Sequence, residues 1–227
     1  MRRNGALNDQ LYDKLKEAIL TNQLEFNIVY SETKLAASYA VSRTPIREAL
    51  VRLSQEHYID ILPSRGFMLH KPDEEDLNVA RHFRLAIEPY CARIIVSDLT
   101  SRRRAMLIGE MEELLHEQGK NADIAHHKSF WQLDLQFHNR IVSYLNNPYF
   151  NDLFASSYYH FSSLAVEDFF PKNRHIATLK EHAAIIDTLK SGDADLAQAA
   201  VCRHIEESIN AILQNAQAQK RCAQDAR

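Results

Sequence analysis

The stretch Val41–Leu50, VSRTPIREAL, with its approach Ser31–Ala40 (SETKLAASYA), restricts the fold of this chain more than any other. Leu35, Ala36 and Tyr39 give a short first helix an inward face, and Val41–Ser42 turns the chain. Ser42 or Thr44 can cap the next helix by accepting from its open backbone N–H groups. Pro45 falls in the first turn, where its missing N–H is not needed. Ile46, Ala49, Leu50 and Leu53 then recur at helical spacing and point inward, leaving Arg43, Thr44 and Arg47 off that stripe near the N-terminal end. That end is where a recognition helix offers side chains to base edges and phosphates in a major groove. Taken alone, the pattern equally describes an ordinary amphipathic helix with a solvated basic end.

The residues that follow narrow the choice. Tyr58–Leu62 and Gly66–His70 are short β-prone runs around Pro63-Ser64-Arg65-Gly66, a turn by composition. A hairpin directly after such a helix makes a winged helix, with Arg65 at its tip within reach of a minor groove or a phosphate. SETKLA, VSRTPIREAL, a Leu three residues on, and PSRGF together resemble the N-terminal domain of GntR-type bacterial transcription regulators, from about Gln10 to His70. The resemblance implies contacts to double-stranded DNA from Arg43, Thr44 and Arg47 in the helix and from Arg65 and Gly66 in the wing. It adds Lys34, at a position where the family varies. Two departures stand out. Thr21-Asn22 and Phe26-Asn27 replace the family's Ser-Gly and Pro-Gly, and His57-Tyr58-Ile59 replaces Gly-Leu-Val before the wing. Asn tolerates left-handed backbone, so the first pair of turns can survive.

The net charge of −3 hides an asymmetry: residues 1–71 carry 10 Lys/Arg against 8 Asp/Glu, and residues 72–227 carry 17 against 22. A mildly basic head on an acidic body suits a local DNA footprint without general nucleic-acid stickiness. Three cysteines, Cys91, Cys202 and Cys222, without a CxxC spacing imply a reducing compartment and no disulfide framework. With no signal-peptide pattern, no apolar run long enough to cross a bilayer and no lipidation motif, the expected location is the bacterial cytoplasm, at the nucleoid when bound to DNA.

Residues 1–7 read as a loose arm, after which Asn8 or Asp9 can cap a helix through Leu11, Leu15, Ala18 and Ile19. Lys71-Pro72-Asp73 marks the boundary between a DNA-binding domain, residues 1–71, and an effector-binding and dimerisation domain, residues 72–227. Strand signals end there. Helical segments are expected at about 74–98, 101–118, 122–146, 148–168, 173–190 and 193–219, with Gly119 and Gly192 at C-termini and Pro148 and Asp193 at N-termini. The Ala/Gln-rich end from about 214 is expected to fray. The fold class is mainly α: an N-terminal winged helix-turn-helix with a small hairpin, then an all-helical bundle. In length and layout that body resembles the FCD-type ligand-binding domain of the FadR branch of GntR regulators.

Asp134 and His138 lie four apart on one expected helix, on the apolar stripe of Trp131, Ile141 and Leu145. His182 sits in the stripe of Leu179, Ile186 and Leu189, and His204 beside that of Ile205, Ile209 and Ile212. An ionisable pair inside a core stripe is costly unless something satisfies it. Each histidine alone could be a hydrogen-bonded core residue. Together, imidazole nitrogens and a carboxylate suit Zn²⁺, Ni²⁺, Mn²⁺ or Fe²⁺ in a bundle core. DLQFH, KEHAAI and CRHIEE also follow the order of the family's metal-binding pattern, which implies that Asp134, His138, His182 and His204 are ligands. The resemblance further implies a small carboxylate effector at the ion and assigns Arg84, in RLAIE, to grip it. The plainer alternative makes Arg84 and Glu88 a surface i,i+4 ion pair. The Arg102-Arg103-Arg104 run reads as a solvated helix start, and the remaining histidines as surface or structural.

The expected function is a homodimeric, effector-controlled transcription regulator, a repressor by the family's commoner mode, on a pseudo-palindromic operator. Two rivals are a metal-dependent enzyme, against which no general base is placed by motif near the ligands, and a sensor whose effector is the ion itself. An acyl-CoA binder without metal is disfavoured, because that sub-branch lacks the histidine set.

Overall fold

The computed structural model describes residues 2–21, 23–71, 73–98, 102–155, 157 and 174–225. They part into two compact units, Met1–Lys71 and Pro72–Arg227.

The first unit holds α1 (Arg2–Leu20), α2 (Glu32–Ser38), α3 (Arg43–Gln55), β1 (Ile59–Leu62) and β2 (Gly66–Leu69). Helix α1 begins at Arg2, well before the expected start. Asn8 and Asp9 are therefore not caps but mid-helix residues that reach α3, bonding Glu48 and Arg52. Leu11, Leu15 and Ile19 of α1 close over Ile46, Ala49, Leu50 and Leu53 of α3, all buried. Ser31 caps α2 by accepting from the Lys34 N–H at 3.4 Å. Ser42 is the N-cap residue of α3, with no side-chain bond of its own.

Asn27, at φ 64, takes the left-handed conformation expected of it, and Asn22 lies outside the described residues. His57, at φ 59, takes the same conformation where the family carries Gly. The hairpin pairs Ile59 with Leu69 and Leu62 with Gly66. A contact the sequence did not announce completes it. Tyr30 bridges to Phe67, with N···O distances of 2.7 and 3.0 Å, and stacks on its ring.

The second unit is a helical bundle of α4 (Glu74–Ser97), α5 (Arg102–Lys120), a 3-10 turn (Ile124–His126), α6 (His127–Ser143), α7 (148–155), α8 (Arg174–Ser191) and α9 (Ala194–Asp225). Asp73 starts α4 with a reciprocal capping box through Asp76. Gly192, at φ 83, ends α8, and the Asp193 carboxylate accepts from the N–H groups of Asp195 and Leu196 at 3.0 Å each to start α9. Gly119 lies inside α5 rather than past its end, and α9 runs on to Asp225 instead of stopping near 219. Of the helix expected over 148–168, residues 158–168 lie outside the described residues.

The Arg102–Arg104 run is not simply solvated. Arg104 is buried and donates to the carbonyls of Leu189 and Lys190, capping the end of α8, while Arg103 lies over the Tyr144 ring. Among the described residues no helix is long and apolar enough to cross a membrane.

Candidate functional site

Asp134 and His138 project from α6, His182 from α8 and His204 from α9 into the interior of the second unit, where all four are buried. One ligand atom from each lies within 4.8 Å of all the others. His138 Nε2 is 3.0 Å from His204 Nε2 and 3.9 Å from Asp134 Oδ2, and His182 Nε2 is 3.4 Å from Asp134 Oδ1. The His182 ring stacks on Phe137 at 3.9 Å, which fixes its plane.

What aims the three rings is a second layer. His138 Nδ1 donates to Glu88 Oε2 at 2.7 Å, and Glu88 accepts from Arg84 Nε at 2.5 Å. His204 Nδ1 donates to Glu181 Oε2 at 2.8 Å. Arg174 grips both oxygens of Glu181 at 2.7 and 2.6 Å and also reaches Ser208 Oγ at 3.2 Å. His182 Nδ1 donates to Gln118 Oε1 at 2.8 Å, and the Gln118 amide nitrogen donates to the Phe130 carbonyl. A carboxylate can only accept, so the Nδ1 atoms of His138 and His204 carry hydrogen. In the neutral rings Nε2 is then a lone pair, and all three Nε2 atoms turn toward Asp134.

Electrostatics keeps at least two of them that way. Burial, then the neighbouring His204 and His138 rings, holds His182 well below the usual imidazole range. Burial, then His138 and Arg84, does the same for His204. Burial would push the Glu88 carboxyl up, but Arg84 and His138 overcome it and hold it at about 2.

Converging lone pairs beside a carboxylate require a positive species. A proton shared between His138 and His204 serves one pair. It leaves His182 Nε2, which makes no hydrogen bond among the described residues. A divalent transition metal satisfies the whole set, and three imidazoles with one carboxylate suit it chemically. The residues fit the ion.

Arg84 and Glu88 do form an i,i+4 pair, yet both are fully buried, so the surface alternative fails on burial rather than on pairing. Sequence reasoning missed Gln118, Glu181 and Arg174. Gln118 carried a legible signal, a lone amide on the apolar stripe of Leu107 and Met111. Glu181 and Arg174 carried none, since their partners His204 and Ser208 lie on another helix. His175 is a satisfied core histidine, donating to the Ala122 carbonyl and accepting from His127, which accepts from Trp131.

In the first unit, Arg43, Thr44 and Arg47 are exposed on the first turns of α3, and Lys34 is exposed on α2. Arg43 and Arg47 both lean on Glu32, at 3.5 and 3.2 Å. Arg65 is exposed at the tip of the hairpin. Gly66 has a structural reason of its own: at φ 126, a Cβ would sit 2.0 Å from the Tyr30 carbonyl oxygen.

Comparison with known proteins agrees with both halves. Residues 7–69 match the model of bacterial regulatory proteins of the gntR family, and residues 80–207 match the FCD domain. The chain is 28% identical over 204 residues to an HTH-type transcriptional regulator of Streptomyces ambofaciens, covering 89% of this chain and 84% of that protein. It is 24% identical over 208 residues to the HTH-type transcriptional repressor RspR of Escherichia coli K12, covering 92% and 90%. A solved GntR-type regulator from Rhodococcus sp. RHA1 superposes with a TM-score of 0.68 at 20% identity, covering 91% of this chain and 97% of that one. These relatives are regulators rather than enzymes, and the chain belongs to the GntR family of bacterial transcription regulators, with a winged helix-turn-helix and an FCD domain.

Proposed function

We propose that this DNA-binding regulator is a cytoplasmic, homodimeric repressor whose grip on a pseudo-palindromic operator is set by a small carboxylate at a metal centre in its FCD domain. Asp134, His138, His182 and His204 would hold a divalent transition ion, Zn²⁺, Ni²⁺, Mn²⁺ or Fe²⁺. Bound there, the ion would supply a Lewis acid for an anionic oxygen. The observation that carries the reading is the convergence of three Nε2 atoms and one carboxylate in a closed interior, each ring pinned through Nδ1.

Glu88, Gln118 and Glu181 orient the ligand rings, Arg84 helps keep Glu88 ionised, and Arg174 holds Glu181 in place. Arg84 therefore has two candidate duties, holding Glu88 and gripping the effector, which metal affinity and effector response separate. In the first unit, Arg43, Thr44 and Arg47 serve as the major-groove set, Arg65 and Gly66 as the wing contact and Lys34 as a phosphate contact. DNA binding must break the Glu32 contacts of Arg43 and Arg47. Ion pairs with an exposed arginine are worth about 0–1 kcal/mol each, so contacts to the duplex can replace them.

The repressor assignment follows RspR, named a repressor. Regulation requires that the carboxylate bind the operator-competent and operator-incompetent arrangements unequally. The test is an operator-shift titration with small carboxylic acids at constant metal. Release of DNA by one of them supports the reading. If only chelation or metal addition changes affinity, the ion itself is the effector.

A further inference from the structure

Helix α3 ends on an imidazole where the backbone favours no side chain at all. Glu56 is its C-cap residue; beyond it the Tyr58 N–H closes back on the Leu53 carbonyl at 2.9 Å and the His57 N–H on the Ser54 carbonyl at 3.1 Å. This paired closure sets His57 at the left-handed position, φ 59, which glycine fills at least cost. The ring is nevertheless present and exposed, at the point where α3 turns into the wing. Left-handed side chains of this kind gather where the side chain is used.

The far end of the wing supplies its counterpart. The His70 N–H donates to the Tyr58 carbonyl at 3.0 Å, so β2 finishes beside the residue that follows His57. The two imidazoles meet edge-on, with centroids 5.5 Å and planes 85° apart, and a ring nitrogen of each lies within 4.8 Å of the other. Asp60, a diagonal neighbour of His70 across the hairpin, places Oδ1 2.8 Å from His70 Nδ1. A carboxylate accepts, so Nδ1 carries the hydrogen and Nε2 is the lone pair of the neutral ring. A carboxylate on one nitrogen is what fixes the plane and raises the basicity of a histidine that holds an ion on the other. Glu88 and Glu181 stand behind His138 and His204 in the same way. Two imidazole nitrogens on one tetrahedral ion sit roughly 3–3.5 Å apart. The exposed His57 ring has only to turn about its side-chain bonds toward His70, whose side chain is 17% exposed and already held.

We propose that His57 and His70 form a second divalent-metal site at the base of the wing, within the first unit, with Asp60 orienting His70. Imidazole donors suit Zn²⁺, Ni²⁺ and Cu²⁺ rather than Mg²⁺ or Ca²⁺. Two protein ligands hold an ion through fewer bonds than the four of the interior set, so this ion exchanges with solvent and is lost on desalting. Bound there, it ties the end of α3 to the end of β2. The helix that carries Arg43, Thr44 and Arg47 is then joined to the hairpin that carries Arg65 at its tip. The site shares no residue with the interior centre and stands whether or not that centre is loaded.

Equilibrium dialysis of the untagged full chain against Ni²⁺, with Mg²⁺ in excess, counts the bound ions without desalting. The parent should bind one ion that His57→Gly and His70→Gln each lose, their occupancy of that site needing at least tenfold more Ni²⁺. Glycine suits the left-handed backbone, so His57→Gly should keep the parent's circular dichroism and melt, metal-free, no lower than the parent. The ion is counted as the difference between parent and variant, whatever the second unit holds. Equal Ni²⁺ binding by the parent and either variant overturns the proposal, the ions then lying on other groups. So does displacement of the extra ion by Mg²⁺, which would mark a site of carboxylates rather than imidazoles.

Discussion

Glu181→Ala isolates the second layer of the metal centre from the stability of the fold. Glu181 accepts from His204 Nδ1 at 2.8 Å, and its side chain is 20% exposed, so water can replace it around Arg174. The corresponding change at Glu88 is a poor test. It would leave the fully buried Arg84 without its carboxylate, a loss of about 3–5 kcal/mol that threatens folding before metal binding is measured. At Glu181 the expected loss is in ligand orientation and basicity. Outer-layer partners of this kind are worth about 10–100-fold in metal affinity, or about 1.4–2.8 kcal/mol. The assay is competition for Zn²⁺ or Ni²⁺ against a chromophoric chelator, with thermal melting of the metal-free chain as control. Glu181→Gln, whose amide oxygen can still accept, should fall between wild type and Ala. Equal affinities for wild type and Glu181→Ala, with the wild type binding stoichiometrically, would refute the role given to Glu181.

Gly66→Ala should destabilise the first unit by about 1–3 kcal/mol in urea unfolding, because its Cβ meets the Tyr30 carbonyl at a positive φ; an unchanged midpoint would contradict the packing described. Arg47→Ala should weaken operator binding by about 1–3 kcal/mol in a shift assay if it reads a base, and intact affinity removes it from the interface. Arg84→Ala should cost about 3–5 kcal/mol of stability, because the buried Glu88 carboxylate loses its guanidinium and keeps only the His138 bond; unchanged melting with a blunted carboxylate response would assign Arg84 to the effector alone. Arg104→Ala should lower stability by about 1.5–3 kcal/mol by uncapping α8, and a melting temperature equal to wild type would return that arginine to the solvent.

The parts of this molecule that were legible beforehand are those written in short-range pattern. The stripe Ile46, Ala49, Leu50, Leu53 and the turn Pro63–Arg65 specify a helix and a hairpin within a few residues of each other, and Asp134 and His138 share a face by spacing alone. What stayed hidden is pairing across elements. Tyr30 closing on Phe67, Arg104 on the end of α8, and Glu181 holding His204 each join residues that no local period relates. Arg84 shows both limits at once: the i,i+4 spacing gave its partner correctly, and only packing revealed that the pair is buried beneath His138. The start of α1 was misplaced for a different reason. Asn8 and Asp9 are good caps by residue type, but α3 offers them partners in mid-helix.

The account turns on the three rings and one carboxylate at the centre of the second unit. Its most direct test is the metal-to-protein ratio, by mass spectrometry, of the full chain and of a His138→Ala, His182→Ala variant, each loaded with excess Zn²⁺ or Ni²⁺ and desalted. The account predicts one ion per chain for the wild type and none for the variant. Equal metal in both, or no retained metal in the wild type, would contradict it.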